Sequence, residues 1–211
     1  MDIQRLFVTE IYRASLVSSD RSADRAAKSL NADIEQAALM LAEEDEAGRA
    51  WCRDNAYGGY TSYASLDDLP RRASCFADLA KLLQKHAGIF AGHLQLDLQG
   101  RKLVLDNLWV NVLKRGGAHS GHIHPHCVLS GTYYVRAPKG ASSIRFEDPR
   151  LAMMMASPLP RADADLERRR FVHVQPEAGD LLLWESWLRH EVTPNQAAAS
   201  RISVSFNYRW D

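Results

Sequence analysis

The stretch Gly121-His122-Ile123-His124-Pro125-His126 is the part of the sequence around which the predicted fold is arranged. It lies between two runs, Leu103–Leu113 and Val128–Val135, whose β-branched and aromatic residues predict β-strands. Four of the eight histidines of the chain fall in this short region, at positions 119, 122, 124 and 126. Such a cluster of imidazoles between two strands indicates a metal site.

The sequence changes its pattern near Leu103, from helical upstream to strand-like downstream. Upstream, apolar residues at helical spacing predict two helices, Ser18–Glu46 and about Arg72–Leu94. Downstream, turn residues bound each of the predicted strands Leu103–Leu113, Val128–Arg136, Ser142–Phe146, Phe171–Val174, Asp180–Trp184, His190–Val192 and Arg201–Trp210. This order predicts a mainly β fold, a sandwich or barrel buttressed by N-terminal helices. We expect a single domain over residues 1–211, with a largely helical support region at 1–100 and the strand-rich core at 101–211.

The composition argues against several classes of partner. The 26 basic and 26 acidic residues give a formal net charge of zero, which predicts binding to neither nucleic acid nor an anionic membrane. Three scattered cysteines, Cys52, Cys75 and Cys127, predict no disulfide framework and suit a reducing compartment. The first residues lack the pattern of a signal peptide, and no apolar run approaches the roughly 20 residues of a membrane span. We therefore expect a cytoplasmic protein.

His122 and His124 are predicted to share a metal ion, since side chains two apart on an extended strand point to the same face. A third ligand from a distant strand would complete a facial set with open positions. His190 is the predicted third ligand, because it follows an apolar strand and a turn that bring the chain back to the sheet. His126 has the same parity, but Pro125 interrupts strand geometry, so we expect it to contact the ligands or the substrate instead. His119 is the weakest candidate.

The last predicted strand, Arg201–Tyr208, alternates strictly between polar and apolar residues. Its apolar residues are predicted to face the core, and Arg201, Ser203, Ser205 and Asn207 to face the other side. A guanidinium with a hydroxyl two residues away suits the binding of a carboxylate. An exposed polar face on an edge strand is the alternative interpretation of the same pattern.

The ordered set His122-x-His124, His190 and Arg201-x-Ser203 resembles the 2-oxoglutarate/Fe(II)-dependent dioxygenase superfamily. The runs Leu129–Val135, Gly179–Trp184 and Arg201–Asn207 resemble a bacterial and phage branch of that superfamily. The resemblance covers about Leu103–Trp210, with a weaker similarity at Gly58–Tyr63. It implies a double-stranded β-helix, a cupin-like jelly roll, supported by the N-terminal helices.

The resemblance also implies roles for individual residues. His122, His124 and His190 would bind Fe(II), Arg201 and Ser203 would bind the distal carboxylate of 2-oxoglutarate, and Tyr134 and Asn111 would lie in the same pocket. The implied activity is the hydroxylation of a small-molecule or peptide substrate. Most members carry Asp or Glu where this chain has His124, and a carboxylate would offset part of the metal charge that three neutral imidazoles leave in place.

Several alternatives remain open from the sequence alone. The metal site could belong to a three-His cupin-type dioxygenase that does not use 2-oxoglutarate, or to a non-catalytic metal-binding β-helix module. The segment Arg150–Arg170, with Met153–Met155 and two prolines, predicts either a lid or binding loop or a set of core-packing methionines. Trp109, Trp184 and Trp187 are candidates for the pocket wall. The helical first hundred residues could form the contact of a homodimer.

Overall fold

The computed structural model describes residues 1–16 and 21–211. Its three α-helices are α1 (Arg21–Glu44), α2 (Glu46–Asp54) and α3 (Ser74–His93). Its strands are β1 (Tyr12–Ser15), β2 (Gly59–Thr61), β3 (Leu103–Leu113), β4 (His119–His122), β5 (Leu129–Arg136), β6 (Ile144–Glu147), β7 (Phe171–Val174), β8 (Asp180–Glu185), β9 (His190–Val192) and β10 (Arg201–Trp210). The first residues of the predicted helix Ser18–Glu46, residues 18–20, lie outside the described part of the chain.

The strands form two antiparallel sheets that face each other, as the mainly β prediction required. The larger sheet has six strands in the order β1-β8-β5-β10-β3-β2, and the smaller has four in the order β4-β9-β6-β7. Most neighbours in each sheet are not consecutive in the sequence, the pairs β2 with β3 and β6 with β7 excepted. The strands therefore have a jelly-roll connection and are not a set of simple hairpins. The predicted architecture of strands buttressed by N-terminal helices is confirmed.

The six-stranded sheet packs its outer face against the helices α1 and α3. Alternate residues of its central strands, among them Val204 and Phe206 of β10, are fully buried in one core with Ile34, Phe76 and Leu83 of the helices. Gly131 of β5 fits this arrangement, since a Cβ atom at that position would collide with the Phe206 ring. The amphipathic helices thus cover the apolar face of the sheet, which excludes water from it.

The final strand occupies an interior position, which decides between the two interpretations of its polar face. β10 pairs with β3 on one side and with β5 on the other, so the edge-strand alternative is wrong. Its polar residues face the space between the two sheets. None of the helices in the described residues is long and apolar enough to cross a membrane.

Candidate metal and cosubstrate site

Three histidines converge at one end of the space between the sheets. His122 ends β4, His190 begins β9, and the two residues are directly paired across the strands. His124 lies just beyond β4, where its backbone N–H donates to the Ser186 carbonyl at 3.0 Å. One nitrogen of each imidazole lies within 4.8 Å of the corresponding nitrogen of the other two. The pair His122 and His124 is therefore fixed by a strand end and one backbone hydrogen bond, not by one continuous strand.

Backbone carbonyls set the tautomers of two of these rings. His122 Nδ1 lies 2.7 Å from the Ser120 carbonyl oxygen, and His190 Nδ1 lies 2.8 Å from that of Leu188. A carbonyl oxygen only accepts, so each Nδ1 must carry the proton, and each Nε2 keeps a free lone pair. This backbone support for a ligating imidazole is the arrangement found around metal sites.

The spacing and charge state of the rings suit a shared metal ion. His124 Nε2 and His190 Nε2 are 3.3 Å apart, and two ligands at metal–nitrogen distances near 2.1 Å would be about 3.0–3.4 Å apart. Burial lowers the pKa of His190 to about 3 and that of His124 to about 4, with the neighbouring His122 adding to the effect. Neutral imidazoles are the form that binds metal. The residues fit a metal ion of the Fe(II), Zn(II) or Cu(II) type.

The four residues predicted to bind the cosubstrate come together on the same sheet. Ser203 of β10 is the direct cross-strand partner of Asn111 on β3 and of Tyr134 on β5. Arg201 is two residues away on the same face of β10, and its Nη1 donates to Ser203 Oγ at 3.3 Å. Its Cζ atom lies 4.8 Å from the centroid of the Tyr134 ring. All four side chains line the cavity that also holds the three histidines.

The deep end of this cavity contains buried donors that have no partner in the protein. Arg201 Nε and the Tyr134 hydroxyl are buried and have no hydrogen-bond partner, although each such group costs about 1–3 kcal/mol when unpaired. Trp184 Nε1 is also buried without a partner, and its ring lies beside His190, with ring centroids 4.7 Å apart. Burial raises the pKa of Tyr134, so its hydroxyl remains a donor. A buried guanidinium with an unpaired N–H, beside the unpaired Tyr134 hydroxyl, fits the carboxylate end of an acidic ligand such as 2-oxoglutarate.

Asn111 differs from these donors because its side-chain amide already makes hydrogen bonds within the protein. Its Oδ1 accepts a hydrogen bond from Thr61 Oγ1 at 2.8 Å, and its Nδ2 donates to Ser205 Oγ at 3.1 Å. The structure thus places Asn111 in the cavity wall, tied to β2 and β10.

The cavity has a volume of about 760 Å³, within the usual range for a small-ligand site. Trp109 and Trp184 line it, and Trp187 does not. His126 also does not line it, because its left-handed backbone (φ 67°) leaves the side chain exposed at a surface turn. The expected contact of His126 with the ligands or the substrate site is not seen, because β4 ends at His122 and the chain turns outward after it.

His119 and Tyr57 are cavity residues that the sequence did not predict with any strength. The pairing of β4 with β9 is irregular between His119 and His122, so two residues an odd number apart both reach the cavity. The Tyr57 hydroxyl is 2.6 Å from His119 Nε2. Burial, with a contribution from Arg201, lowers the pKa of His119 to about 3. The bulge cannot be recognised from residue spacing, and Tyr57 comes from a loop without periodicity.

The segment Arg150–Arg170 lies away from this cavity. It forms two short 3-10 turns, Leu151–Met153 and Leu166–Arg168, and contributes residues to a second cavity beside the N-terminal residues 3–11. Met153 is 74% exposed and Met155 is 94% exposed. These two methionines do not pack in the core, and none of the segment's residues lines the histidine cavity.

Comparison with known proteins gives a family match over the strand-rich part of the chain. Residues 107–207 match the family model described as "Putative 2OG-Fe(II) oxygenase". This range contains the three histidines, Arg201, Ser203, Tyr134 and Asn111. No curated protein sequence matches the chain.

Solved structures share the fold over nearly the whole chain. The α-ketoglutarate-dependent epimerase SnoN of nogalamycin biosynthesis is 15% identical, with a TM-score of 0.61 over 95% of this chain and 76% of that one. A prolyl-4-hydroxylase from Pseudomonas putida is 15% identical, with a TM-score of 0.58 over 98% and 95% of the two chains. HygX from Streptomyces hygroscopicus, with nickel and 2-oxoglutarate bound, is 14% identical, with a TM-score of 0.55 over 95% and 82%.

These similarities confirm the double-stranded β-helix and the superfamily resemblance seen in the sequence. The N-terminal helices, outside the family match, are included in the structural similarity. Residues 107–207 match the 2OG-Fe(II) oxygenase family in sequence, and the chain has the fold of that superfamily.

Proposed function

We propose that the protein is an Fe(II)- and 2-oxoglutarate-dependent oxygenase of the hydroxylase type. Its metal ligands are His122, His124 and His190, and its cosubstrate residues are Arg201, Ser203 and Tyr134, with Asn111 in the pocket wall. One observation carries the proposal: a single cavity holds both a three-imidazole cluster and a buried guanidinium with an unpaired N–H. A metal ligand set and a carboxylate site in one cavity suit a ligand that chelates at one end and is anchored at the other.

When bound, Fe(II) and 2-oxoglutarate would supply the oxidising chemistry, in which O₂ is reduced as 2-oxoglutarate yields succinate and CO₂ and a substrate C–H bond is oxidised. The protein's residues do the positioning. His122 and His190 are oriented by the carbonyls of Ser120 and Leu188. Arg201 and Ser203 hold the distal carboxylate, and this fixes the pose of the cosubstrate. The six-stranded sheet keeps bulk water from the deep end of the cavity, where Arg201 lies.

The imidazole of His124 has an electrostatic consequence. Three neutral side chains give the metal no charge compensation, and the group of potential ligands in the described residues contains no carboxylate. An anionic ligand is therefore favoured at the open positions. This supports a dianionic cosubstrate, and it is compatible with the second candidate, a three-His dioxygenase that does not use 2-oxoglutarate.

The unpaired Arg201 Nε favours the first candidate, because it offers a carboxylate site in the same cavity as the three histidines. A non-catalytic metal-binding module remains as the third candidate. We place the protein in the cytoplasm, as a monomer or as a homodimer through its helical region. Its substrate is a small molecule or a peptide, because structural neighbours include SnoN bound to nogalamycin RO and a prolyl hydroxylase bound to a peptide.

Succinate production tests the proposal. The purified protein, supplied with Fe(II), ascorbate, O₂ and 2-oxoglutarate, is expected to form succinate above the rate of a sample without protein, even without the native substrate. His190→Ala should remove this activity. Arg201→Met should reduce it strongly at low 2-oxoglutarate. Turnover of 2-oxoglutarate at equal rates in all three proteins would refute the assignment, and its absence from metal-loaded wild type would favour the non-catalytic module.

A further inference from the structure

The histidine cavity has an outer end that the metal and cosubstrate residues leave unused. This end is lined by three aromatic side chains, Trp51, Tyr63 and Trp109. Two of the three, Trp51 and Tyr63, precede residue 107, so they lie outside the part of the chain that matches the family. The outer end is therefore built mostly by residues of α2 and of the loop after β2, which lie upstream of the family match.

The aromatic side chains form a path from solvent to the histidines. Tyr63 is 51% exposed and Trp51 is 36% exposed, whereas Trp109 is 6% exposed. The Tyr63 and Trp109 rings contact edge to face, with centroids 5.0 Å apart. Trp109 in turn lies beside His124, with ring centroids 6.2 Å apart. A molecule that packs on Tyr63 and Trp109 would thus reach the side of a proposed metal ligand.

Charge at the outer end disfavours an anion. Arg201, at the deep end, is the single Lys or Arg side chain among the described residues that line the cavity. Asp106 is the single acidic side chain in that lining, and it is paired with Arg209, 3.2 Å away. An anionic group bound on Tyr63 and Trp109 would lose its hydration without gaining a cationic side chain as a partner. Aromatic faces, by contrast, favour flat apolar groups and cations.

We propose that the outer end is the substrate site and that it takes a planar ring without an anionic group, packed on Tyr63 and Trp109. This inference rests on the proposed function, because it places the ring beside His124, a proposed metal ligand. Phosphorylated molecules and carboxylic acids are disfavoured by the same charge argument. A cavity of about 760 Å³ leaves room for such a ring after a small dicarboxylate is bound.

Three size-matched indoles test this proposal: tryptophol (neutral), tryptamine (cationic) and indole-3-acetate (anionic). Each is titrated by calorimetry into the protein loaded anaerobically with Fe(II) and 2-oxoglutarate. Tryptophol and tryptamine should bind at least roughly tenfold more tightly than indole-3-acetate. Tyr63→Ala should weaken them about threefold to tenfold, the size expected for loss of an aromatic contact. Tyr63→Phe should restore binding, and Trp187→Ala, at an exposed position outside the cavity, should leave it unchanged.

Two results would overturn the substrate class: tighter binding of indole-3-acetate than of the other two indoles, or no response to Tyr63→Ala. Failure of all three probes to bind the wild type at millimolar concentration would also overturn it. Visible absorbance of the same sample reports separately whether Fe(II) and 2-oxoglutarate are bound. Binding of the indoles without that absorbance would refute the proposed function alone. Absorbance without binding of the indoles would refute the proposed substrate class alone.

Discussion

The two faces of β10 are equally buried and have opposite properties. On the helix side, Ile202, Val204 and Phe206 are each 0% exposed within a continuous apolar core. On the cavity side, Arg201 is 2% exposed and Ser203 is 1% exposed, yet Arg201 Nε has no partner. Alternate residues of β10 therefore have different roles. The helix face stabilises the fold, whereas the cavity face keeps unpaired polar groups for a ligand at some expense of stability.

The largest expected effect comes from removing a metal-ligating histidine of the cavity that the polar face of β10 lines. His190→Ala should abolish measurable binding of Fe(II), because only two imidazoles remain at the site. Folding should persist, since His190 contributes no part of the helix-side core. Metal content after equilibrium dialysis and the far-UV circular dichroism spectrum measure the two outcomes. His126→Ala, at an exposed position close in sequence, is the matched control and should bind metal normally. Equal metal content in both variants would contradict the assignment of His190 as a metal ligand.

On the helix face, Phe206→Ala should produce the largest loss of stability. Deleting this fully buried ring leaves a cavity and should lower the free energy of unfolding by about 3–5 kcal/mol. Urea denaturation measures that loss. The fraction that remains folded should still bind one equivalent of metal, because Phe206 faces away from the histidines. A change below about 1 kcal/mol would contradict the assignment of this face to stability.

Replacing the buried guanidinium should affect ligand binding and not folding. Arg201→Met should weaken 2-oxoglutarate binding by about 2–5 kcal/mol, the usual effect of removing one partner of a buried charge pair. Without ligand, the variant should be as stable as the wild type or more so, because an unpaired buried N–H is removed. Calorimetric titration and thermal denaturation with and without 2-oxoglutarate test both statements. A large loss of stability in the ligand-free variant would mean that Arg201 belongs to the core.

A smaller effect is expected from the neighbouring hydroxyl. Tyr134→Phe deletes an unpaired buried donor and keeps the ring under the guanidinium. Binding of 2-oxoglutarate should weaken by about 0.5–1.5 kcal/mol, and the stability of the ligand-free protein should stay the same or rise slightly. The same titrations measure it. Unchanged affinity would show that the Tyr134 hydroxyl does not contact the cosubstrate.

Sequence reasoning succeeded where local pattern and tertiary structure agree. The alternation of β10 placed Ile202, Val204 and Phe206 in the core correctly, because a period of two survives in any strand buried on one face. The bounds of β3, β7, β9 and β10 were also predicted correctly. The bounds of the short strands β1, β2 and β4 were not predicted.

The parts of the site that sequence reasoning missed depend on long-range geometry. Tyr57 reaches the cavity from the loop before β2, and its position follows from the pairing of β2 with β3. The irregular pairing of β4 brings His119 inward, and a left-handed turn sends His126 outward. Neither the irregular pairing nor the left-handed turn can be predicted from the spacing of residues in the sequence. Metal-ligand candidates were accessible because His122, His124 and His190 are distinctive by residue type alone.

The central claim is that the three histidines and Arg201 together bind Fe(II) and 2-oxoglutarate in one cavity. Anaerobic titration of the Fe(II)-loaded protein with 2-oxoglutarate, followed by visible absorbance, tests it most directly. We predict a metal-to-ligand charge-transfer band that saturates at one equivalent in the wild type, is lost in His190→Ala and needs far more 2-oxoglutarate in Arg201→Met. Bound iron without any such band in the wild type would contradict the account.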